Sequence, residues 1–455
     1  MTLSCRRPSP WAGLAKIACL LAVAGLSPAA WALDLRAAYE AALVQDSGIR
    51  MARAGAQAGS ERLPQARAQW LPNVTFNASR NKNKLDGSSP NVLGVVQDSQ
   101  SEYFSQNQSL TVRQTVFNRA KSADVEQAGF QVADSNALLS LELQNLGVRV
   151  STTYFAALLA DDQLGLLLSQ ETFVRAQLDA AQKSLVAGSG TRTDIDEVQA
   201  RLDMHAAQLL EARQSVDYAR QQLSVLIRQP VDQLAGLDAA RMSFSSATAS
   251  TLLQWQSLAE QHSPELRVLE ARNDAARLQI AKSRAAHMPT VDLVAQWSVS
   301  ESEYVTRLNS TYDTRSLGVQ LSVPLFAGGY VNSTVRQSLA EHERTSEVLE
   351  ATRLDLNLRV HKEFRGVTEG ELRIKALEQA VRSANQVVLS SRKSAQAGLR
   401  TVLDVLKAES LQVESTRDLM RARYDFLLSK LRLAALAGLL TQETVFEVNG
   451  FLRQL

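Results

Sequence analysis

Two short stretches of the chain carry hydroxyl and charged residues at a spacing with chemical consequences. Residues 187–200 read AGSGTRTDIDEVQA, and residues 397–410 read AGLRTVLDVLKAES. In both stretches a threonine follows the glycine of the Ala-Gly pair by three positions and an aspartate follows it by six. A threonine before a helix can accept a hydrogen bond from a free backbone N–H, and the helix dipole favours a carboxylate in the first turn. The pattern predicts two chain reversals, each followed by a capped helix.

Each residue type in these reversals has a predicted structural role. Glycine readily adopts the left-handed backbone that ends a helix. The predicted turn glycines are Gly188, Gly190 and Gly398, the predicted caps are Thr191 or Thr193 in the first stretch and Thr401 in the second, and the predicted first-turn anions are Asp194 and Asp404. On spacing alone, Arg400 and Asp404 form an exposed i,i+4 ion pair, which stabilises a helix by about 0.3 kcal/mol.

The remaining sequence has no spacing typical of a catalytic or metal site. The histidines, at 205, 262, 287, 342 and 361, lack metal-ligand spacing, and the chain contains no GxSxG, HExxH or P-loop motif. The 49 basic residues stand against 47 acidic ones, and this near neutrality argues against a nucleic-acid partner. We therefore expect neither an enzyme nor a bound cofactor or metal.

The first residues have the features of a secretory signal peptide, predicted over residues 1–32. A basic start precedes an apolar run at 17–26, and residues 30–32, AWA, fit a small-x-small cleavage site. The alternative is a membrane anchor, for which this run is short, because a spanning helix needs about 20 residues. Cys5 and Cys19 both lie in this segment, so we expect an exported chain that is not held together by disulfides.

The two reversals must lie at the ends of long elements. Proline is absent between residues 91 and 229 and after residue 324, and a proline inside a helix costs about 3 kcal/mol. Apolar residues recur at helical spacing through both stretches. We therefore predict long helical hairpins at 118–227 and 329–437, whose first arms of roughly 70 residues would each extend about 105 Å.

A strand pair precedes each predicted hairpin. Apolar and polar residues alternate over 74–79 and 110–116, and again over 291–297 and 319–325, which is typical of strands with one apolar face. The predicted strands are 72–82, 106–117, 289–301 and 315–326, with a polar loop inside each pair and a single helix before each pair, at 35–69 and 251–287. Short matching segments recur throughout, so the chain is a duplication. The predicted repeats are 33–243 and 244–455.

Four such strands cannot close a barrel, because membrane barrels have at least about 8 strands and an open sheet edge cannot face lipid. One interpretation is a soluble four-stranded sheet packed on helices. The other is a mainly α protein whose strands join those of identical copies in a membrane β-barrel, which a long α-helical barrel continues. The export signal and the one-faced strands favour the second. A dimer would supply eight strands and a trimer twelve.

In order and in duplicate, these features resemble the TolC-type outer-membrane duct family, the outer membrane factors. The matching segments are Leu71-Pro72, Met288-Pro289, VPLFAGG at 323–329, GLRTVLDVL at 398–406 and RYDFL at 423–427. The resemblance covers essentially the whole chain after residue 32. It implies a homotrimer with a 12-stranded barrel in the cell outer membrane, a helical barrel in the periplasm, and a belt of shorter segments near 228–250 and after Ala437.

The resemblance also implies partners. Such ducts dock at the helical tip with a periplasmic adaptor protein and an inner-membrane transporter, either an ABC protein or a proton-driven pump, and outer-membrane lipid surrounds the barrel. The segment GTRTD at 190–194 resembles members that serve type I secretion, so we favour protein export. The alternatives are a multidrug or small-molecule efflux channel and, outside transport, a trimeric structural or adhesive envelope protein.

Roles for the tip residues follow from the same resemblance. Arg400 and the Thr193-Asp194 pair would form a latch between neighbouring hairpins. Asp404 would form a constriction ring in which three like charges raise one another's pKa and attract cations. The predicted adaptor-docking tip consists of Gly188, Ser189, Gly190, Thr191, Gly398 and Leu399.

Two residues depart from the family pattern. Lys407 stands where the best-known member has a second aspartate, and three lysines there would weaken cation selectivity or pair with the aspartates. Ala395 stands where that member has a latch tyrosine. We therefore expect a closed gate that is either looser than the family's usual one or held differently.

Overall fold

The computed structural model describes residues 32–90, 92–242, 251–302 and 310–453. The predicted signal peptide, residues 1–32, lies outside the described residues except for its last position. Residues 243–250, at the end of the first predicted belt segment, also lie outside them.

The described residues form ten α-helices and four β-strands. The first repeat contains α1 (Leu35–Gln45), α2 (Ser47–Ser60), α3 (Arg62–Ala68), β1 (Asn73–Pro90), β2 (Val96–Phe117), α4 (Arg119–Val186) and α5 (Arg192–Ile227). The second contains α6 (Leu252–His262), α7 (Pro264–Ala285), β3 (Thr290–Ser302), β4 (Ser310–Ser322), α8 (Tyr330–Gln396), α9 (Val402–Leu436) and α10 (Gln442–Asn449). We call α4–α5 the first hairpin and α8–α9 the second hairpin.

Each hairpin begins with one very long helix. α4 has 68 residues and α8 has 67, so each extends about 100 Å at 1.5 Å per residue. At the start of α4, the Asn118 side chain accepts a hydrogen bond from the backbone N–H of Lys121 at 3.1 Å. The prediction of a strand pair followed by a long helical hairpin in each repeat is confirmed.

The helical segments before the strand pairs are broken, so the single helices predicted at 35–69 and 251–287 are wrong. Asp46 starts α2 because its side chain accepts a hydrogen bond from the backbone N–H of Ile49, 3.0 Å away. Pro264 starts α7 because proline lacks the N–H with which α6 would continue. Each of these two breaks comes from a single residue inside an otherwise helical pattern, and a third break lies at Glu61, between α2 and α3.

The first strand pair is longer than predicted. β1 and β2 pair from Asn73 opposite Arg113 to Pro90 opposite Val96, so the polar loop predicted between 82 and 106 is strand except at its tip. Polar composition was a misleading signal here, because a backbone ladder needs no apolar side chain where both faces of a ribbon meet water. β4 also differs, spanning 310–322 rather than 315–326. It ends before Pro324, which lacks an N–H for the ladder.

The strands form one antiparallel sheet in the order β1-β2-β3-β4, and the β2–β3 pairing joins the two repeats. Directly opposite residues share a face, and the register places apolar residues of all four strands side by side. One such row consists of Val74, Val112, Ala295 and Leu317. This face is exposed in the single chain, where Leu317 is 75% accessible. β1 and β4 form the two edges, and each pairs with one neighbour among the described strands.

Most of the other helices pack against the two long helices, α4 and α8. α4 packs against α2, α3 and α5. α7 and α9 each pack against both long helices, α4 and α8, and thereby connect the two hairpins. The helices that the structure describes include none with the length and apolar character to cross a membrane.

The main hydrophobic core surrounds the middle of the hairpins, and we call it the belt core. Its fully buried side chains include Leu35, Tyr154, Phe155, Leu427 and Val445. The Tyr154 hydroxyl lies 2.9 Å from the carbonyl oxygen of Leu33 and 3.0 Å from that of Ala235. The segments after Ile227 and after Ala437 therefore lie at this level, where the resemblance implied a belt.

Candidate gate and docking site at the hairpin tips

Each hairpin turns at a glycine in the left-handed region, with φ of 72° at both Gly188 and Gly398. A side chain at this φ would be strained. The backbone N–H of Ser189 donates to the carbonyl of Ser184 at 2.9 Å, and that of Leu399 donates to the carbonyl of Ser394 at 2.8 Å. Both bonds satisfy carbonyls left free at a helix end, so the two turns have the same geometry.

The first turn requires a glycine at position 190, because the chain there leaves little room for a side chain. A Cβ at this position would lie 3.0 Å from the backbone nitrogen of Leu185 and 3.0 Å from the Cβ of Ser184. The second turn has Arg400 at the matching position, so the two tips differ in charge and in how closely the chain approaches the preceding helix.

Both returning helices begin with a capping box. In α5, the Thr191 hydroxyl accepts from the backbone N–H of Asp194 at 3.2 Å, and the Asp194 carboxylate accepts from the backbone N–H of Thr191 at 3.0 Å. In α9, Thr401 and Asp404 make the same bonds at 3.2 and 3.1 Å. The first cap is thus Thr191, the alternative Thr193 being an exposed residue within the helix.

Asp404 is held in its ionised form. Hydrogen bonds from the hydroxyl and backbone N–H of Thr401 lower the pKa of Asp404 below its usual value, and the positive charges of Arg400 and Lys407 lower this pKa further. Within one chain, Lys407 therefore acts as a counter-charge for the aspartate.

Arg400 turns away from Asp404. Its guanidinium donates to the hydroxyl of the fully buried Ser391 in α8, 2.8 Å away. Among the described residues Arg400 makes no ion pair within 4.0 Å, so the exposed i,i+4 pair with Asp404 is not formed. The chain also does not bring Arg400 into hydrogen-bond contact with Thr193 or Asp194. A latch between these residues would have to join different chains.

A buried polar cluster near the second tip escaped sequence prediction. Glu409 of α9 is 4% exposed, and its carboxylate accepts hydrogen bonds from Arg392 of α8 at 2.9 Å and from Gln177 of α4 at 3.0 Å. The available signal was an acidic residue among apolar positions of one helix face, next to Val405, Leu406 and Ala408. We call Gln177, Arg392 and Glu409 the tip cluster.

Known proteins share this architecture. The family model described as outer membrane efflux protein matches residues 38–227 and 235–439. The alkaline protease secretion protein AprF of Pseudomonas aeruginosa is 32% identical over 415 residues, which cover 91% of this chain and 86% of AprF. The proteases secretion protein PrtF of Dickeya chrysanthemi is 30% identical over 428 residues, 93% of this chain and 92% of PrtF. The solved structure of VceC, an outer membrane protein of Vibrio cholerae, matches with a TM-score of 0.74 and 21% identity over 89% of this chain and 96% of VceC.

An amphipathic sheet continued by long paired helices defines a class of protein, the subunit of an exit duct that lies in the outer membrane and extends into the periplasm. The chain belongs to the outer membrane efflux protein family. The predictions of the duct fold and of the outer-membrane location are confirmed. The relatives that the chain matches are transport channels rather than enzymes.

Proposed function

We propose that three copies of this chain form a closed tube that exports proteins through the outer membrane. The observation that carries the trimer is the open sheet, whose edge strands β1 and β4 each lack a second neighbour among the described strands. An unpaired edge cannot face lipid. Two sheets would supply eight strands, and a barrel of about 8 strands has an interior that side chains fill, whereas twelve strands leave room for a channel.

The trimer has a direct test. Protein purified in detergent should have the mass of three chains by light scattering with detergent correction, and it should conduct ions in a planar lipid bilayer. A monomer that remains electrically silent under the same conditions would contradict the proposal.

Protein export is the cargo class that the relatives support. AprF and PrtF are named as protease secretion proteins, and both are at least 30% identical to this chain over more than nine tenths of its length. The implied partners are an inner-membrane ABC transporter and a periplasmic adaptor protein. A small-molecule efflux channel with a proton-driven pump is the second candidate, because the matching family is described as outer membrane efflux protein.

Gene deletion distinguishes these two candidates. Loss of the gene should remove specific proteins from the culture medium, and the wild-type gene should restore them, while drug susceptibility stays unchanged. Increased drug susceptibility with an unchanged set of secreted proteins would support efflux instead.

For the hairpin tips, we propose that Arg400 of one chain reaches Thr193 and Asp194 of its neighbour when the tube is shut, and that Asp404 lines the constriction. The turn residues Gly188, Ser189, Gly190, Thr191, Gly398 and Leu399 form the adaptor-docking surface. All of these except the partly covered Gly190 are exposed in the single chain, and Arg400 can leave Ser391 without breaking an ion pair within its own chain.

Arg400→Ser should increase single-channel conductance several-fold, because the tips lose the cation that holds neighbouring chains together. The measurement is conductance in a planar bilayer. Arg421→Ser is the matched control, since Arg421 is an exposed arginine of α9, the helix that follows the turn, at the limit of ion-pair distance, 4.0 Å, from Asp425. Unchanged conductance of the Arg400 variant would contradict the latch.

A further inference from the structure

Glu409 is a carboxylate inside a packed contact between helices. It is 4% exposed, and its neighbours Val405, Leu406 and Ala408 on the same helix are also buried. An ionised carboxylate in such a place is strongly unfavourable unless charged and hydrogen-bonding partners compensate it. The position of this residue therefore depends on what surrounds it.

Two other helices supply the compensation. Arg392 of α8 donates from Nε at 3.2 Å and from Nη2 at 2.9 Å to Oε1 of Glu409. Gln177 of α4 donates from Nε2, which lies 3.0 Å from each carboxylate oxygen. The Arg392 guanidinium also lies 3.9 Å from the ring centroid of Phe173, a cation–π distance. Both Phe173 and Gln177 belong to the first hairpin, so the pair Arg392–Glu409 of the second hairpin is completed by residues of the first.

Neighbouring contacts join the hairpins at the same level. Arg201 of α5 donates to the hydroxyl of Ser410, the residue after Glu409. Val174, Val198 and Leu406 form a small apolar cluster with members from α4, α5 and α9. The tip of the second hairpin is thus fixed to the first by a buried charge, a hydrogen bond and an apolar contact.

We propose that Glu409 is a positioning residue for the gate, which sets where the second hairpin tip lies against the first within each chain. This inference rests on the proposed trimeric tube. Asp404 and Arg400 lie only a few residues before Glu409 on the same helix and turn, so a displaced Glu409 displaces both. The latch acts between chains, whereas the tip cluster acts inside one chain and gives each hairpin pair a single arrangement.

The test uses four variants of the full chain. Arg392→Gln leaves the buried carboxylate of Glu409 without its charged partner, and Glu409→Gln leaves the partly exposed guanidinium of Arg392 without one. The double variant Arg392→Gln/Glu409→Gln removes both charges and keeps side chains that hydrogen bond. Glu414→Gln is the matched control, because Glu414 is an exposed glutamate one turn further along α9. Each is compared with wild type for detergent-resistant trimer and for the distribution of single-channel conductance.

The two single variants should form trimers whose conductance spreads over several levels, with a distribution several-fold broader than that of wild type. The double variant and Glu414→Gln should show the narrow wild-type distribution. A merely structural role would lower trimer yield without broadening the conductance of the trimers that remain. A wild-type distribution for Glu409→Gln, or a double variant as broad as the singles, would overturn the proposal.

Gln177→Ala keeps the test valid if the single charge variants fail to assemble. It removes the donor from α4 and leaves the Arg392–Glu409 pair within the second hairpin intact, so trimers should form and their conductance should broaden. A narrow distribution for this variant would also overturn the proposal. If wild type and Glu414→Gln form no channel at all, the trimeric tube is what fails, and this outcome is separate from a failure of the tip cluster.

Discussion

At the residue scale, the hydroxyl of Thr401 controls the charge of Asp404. Its hydrogen bond to the carboxylate, 2.9 Å long, is the largest cause of the lowered pKa of Asp404. If Asp404 lines the constriction, divalent cations should block the channel at neutral pH. In a ring of three carboxylates, mutual repulsion raises this pKa, whereas the hydrogen bonds from Thr401 lower it. These bonds should therefore let the block persist to a lower pH than the repulsion alone would allow.

Thr401→Val should move the loss of divalent block to higher pH, because the carboxylate loses the hydroxyl donor that stabilises it. The measurement is block of single-channel current by a divalent cation as a function of pH. Thr191→Val is the matched control, since it removes the same cap from the first hairpin, at a cost of about 1 kcal/mol to its helix. If both variants shift the midpoint equally, Asp404 is not the blocking group.

Asp162, which accepts a hydrogen bond from Tyr424 of the belt core, has a pKa shifted in the opposite direction. Burial raises the pKa of Asp162, while the Tyr424 hydroxyl, 2.5 Å away, and the charge of Arg453 lower it in part. A raised carboxyl pKa means that the folded state favours the neutral acid. The contribution of this neutral acid to the free energy of unfolding is therefore complete at low pH, and it is lost as the pH rises through the pKa of Asp162 in the folded state.

Asp162→Asn should raise the melting temperature at neutral pH, because the amide is neutral and can still accept from Tyr424. The gain should shrink as the pH falls through the raised pKa of Asp162, below which the wild-type acid is neutral too. Asp161→Asn is a control that should lower the melting temperature. Asp161 forms an ion pair with Arg220 at 3.0 Å, and losing this pair should cost about 1 kcal/mol of stability. Thermal unfolding of the trimer at several pH values measures both effects, and a lower melting temperature for Asp162→Asn would contradict the assignment.

Some features of the hairpin tips can be predicted from the sequence and others cannot. The caps and turn glycines are local, since each depends on a few consecutive residues, and they were predictable. The tip cluster depends on Gln177, Arg392 and Glu409 meeting from three helices, and nothing in their separate surroundings in the sequence indicates that meeting. The resemblance assigned Arg400 a role between chains, but its bond to Ser391 became visible only in the structure.

At the element scale, the strands were found by alternation and their ends were not. Alternation reports the part of a strand that has one apolar face, and so it locates residues such as Val74 and Leu317. Alternation does not locate the outer part of β1, from Asn81 to Pro90, where nearly all side chains are polar. The long helices were predictable because helical periodicity without proline extends over their whole length, whereas Asp46 and Pro264 broke the shorter segments by local chemistry.

Leu317→Arg tests which face of the sheet meets lipid. Leu317 lies in the apolar row with Val74, Val112 and Ala295, and an arginine on a lipid face destabilises a barrel by about 2–4 kcal/mol near the bilayer centre. Ser316→Arg is the matched control on the same strand and the opposite face, and it should assemble normally. The measurement is the yield of detergent-resistant trimer in the outer membrane. Equal yields from the two variants would contradict the lipid-facing assignment.

At the scale of the whole molecule, the β1–β2 ribbon and the hairpin tips lie at opposite ends of a long object. An epitope inserted after Gly94, at the exposed turn between β1 and β2, should therefore bind antibody on intact cells. The same epitope inserted after Gly398 should bind only after the outer membrane has been permeabilised. Labelling of both on intact cells would contradict the proposed orientation. The number of copies in the assembly is also a property of the whole molecule. The sequence restricts this number only by predicting four strands, which cannot close a barrel alone.

The belt core joins two distant parts of the chain, near residues 33 and 452, to one short segment at 234–237. Leu33 pairs with Leu234, and Leu452 pairs with Leu237, while the N–H of Arg453 donates to the carbonyl of Gly236 at 2.8 Å. Leu452 is 1% exposed, so residues far apart in the sequence complete one core. Contacts between distant residues stabilise the fold only after the entropy of closing a long loop has been overcome. This part of the belt core should therefore be among the last regions of a folding chain to become ordered.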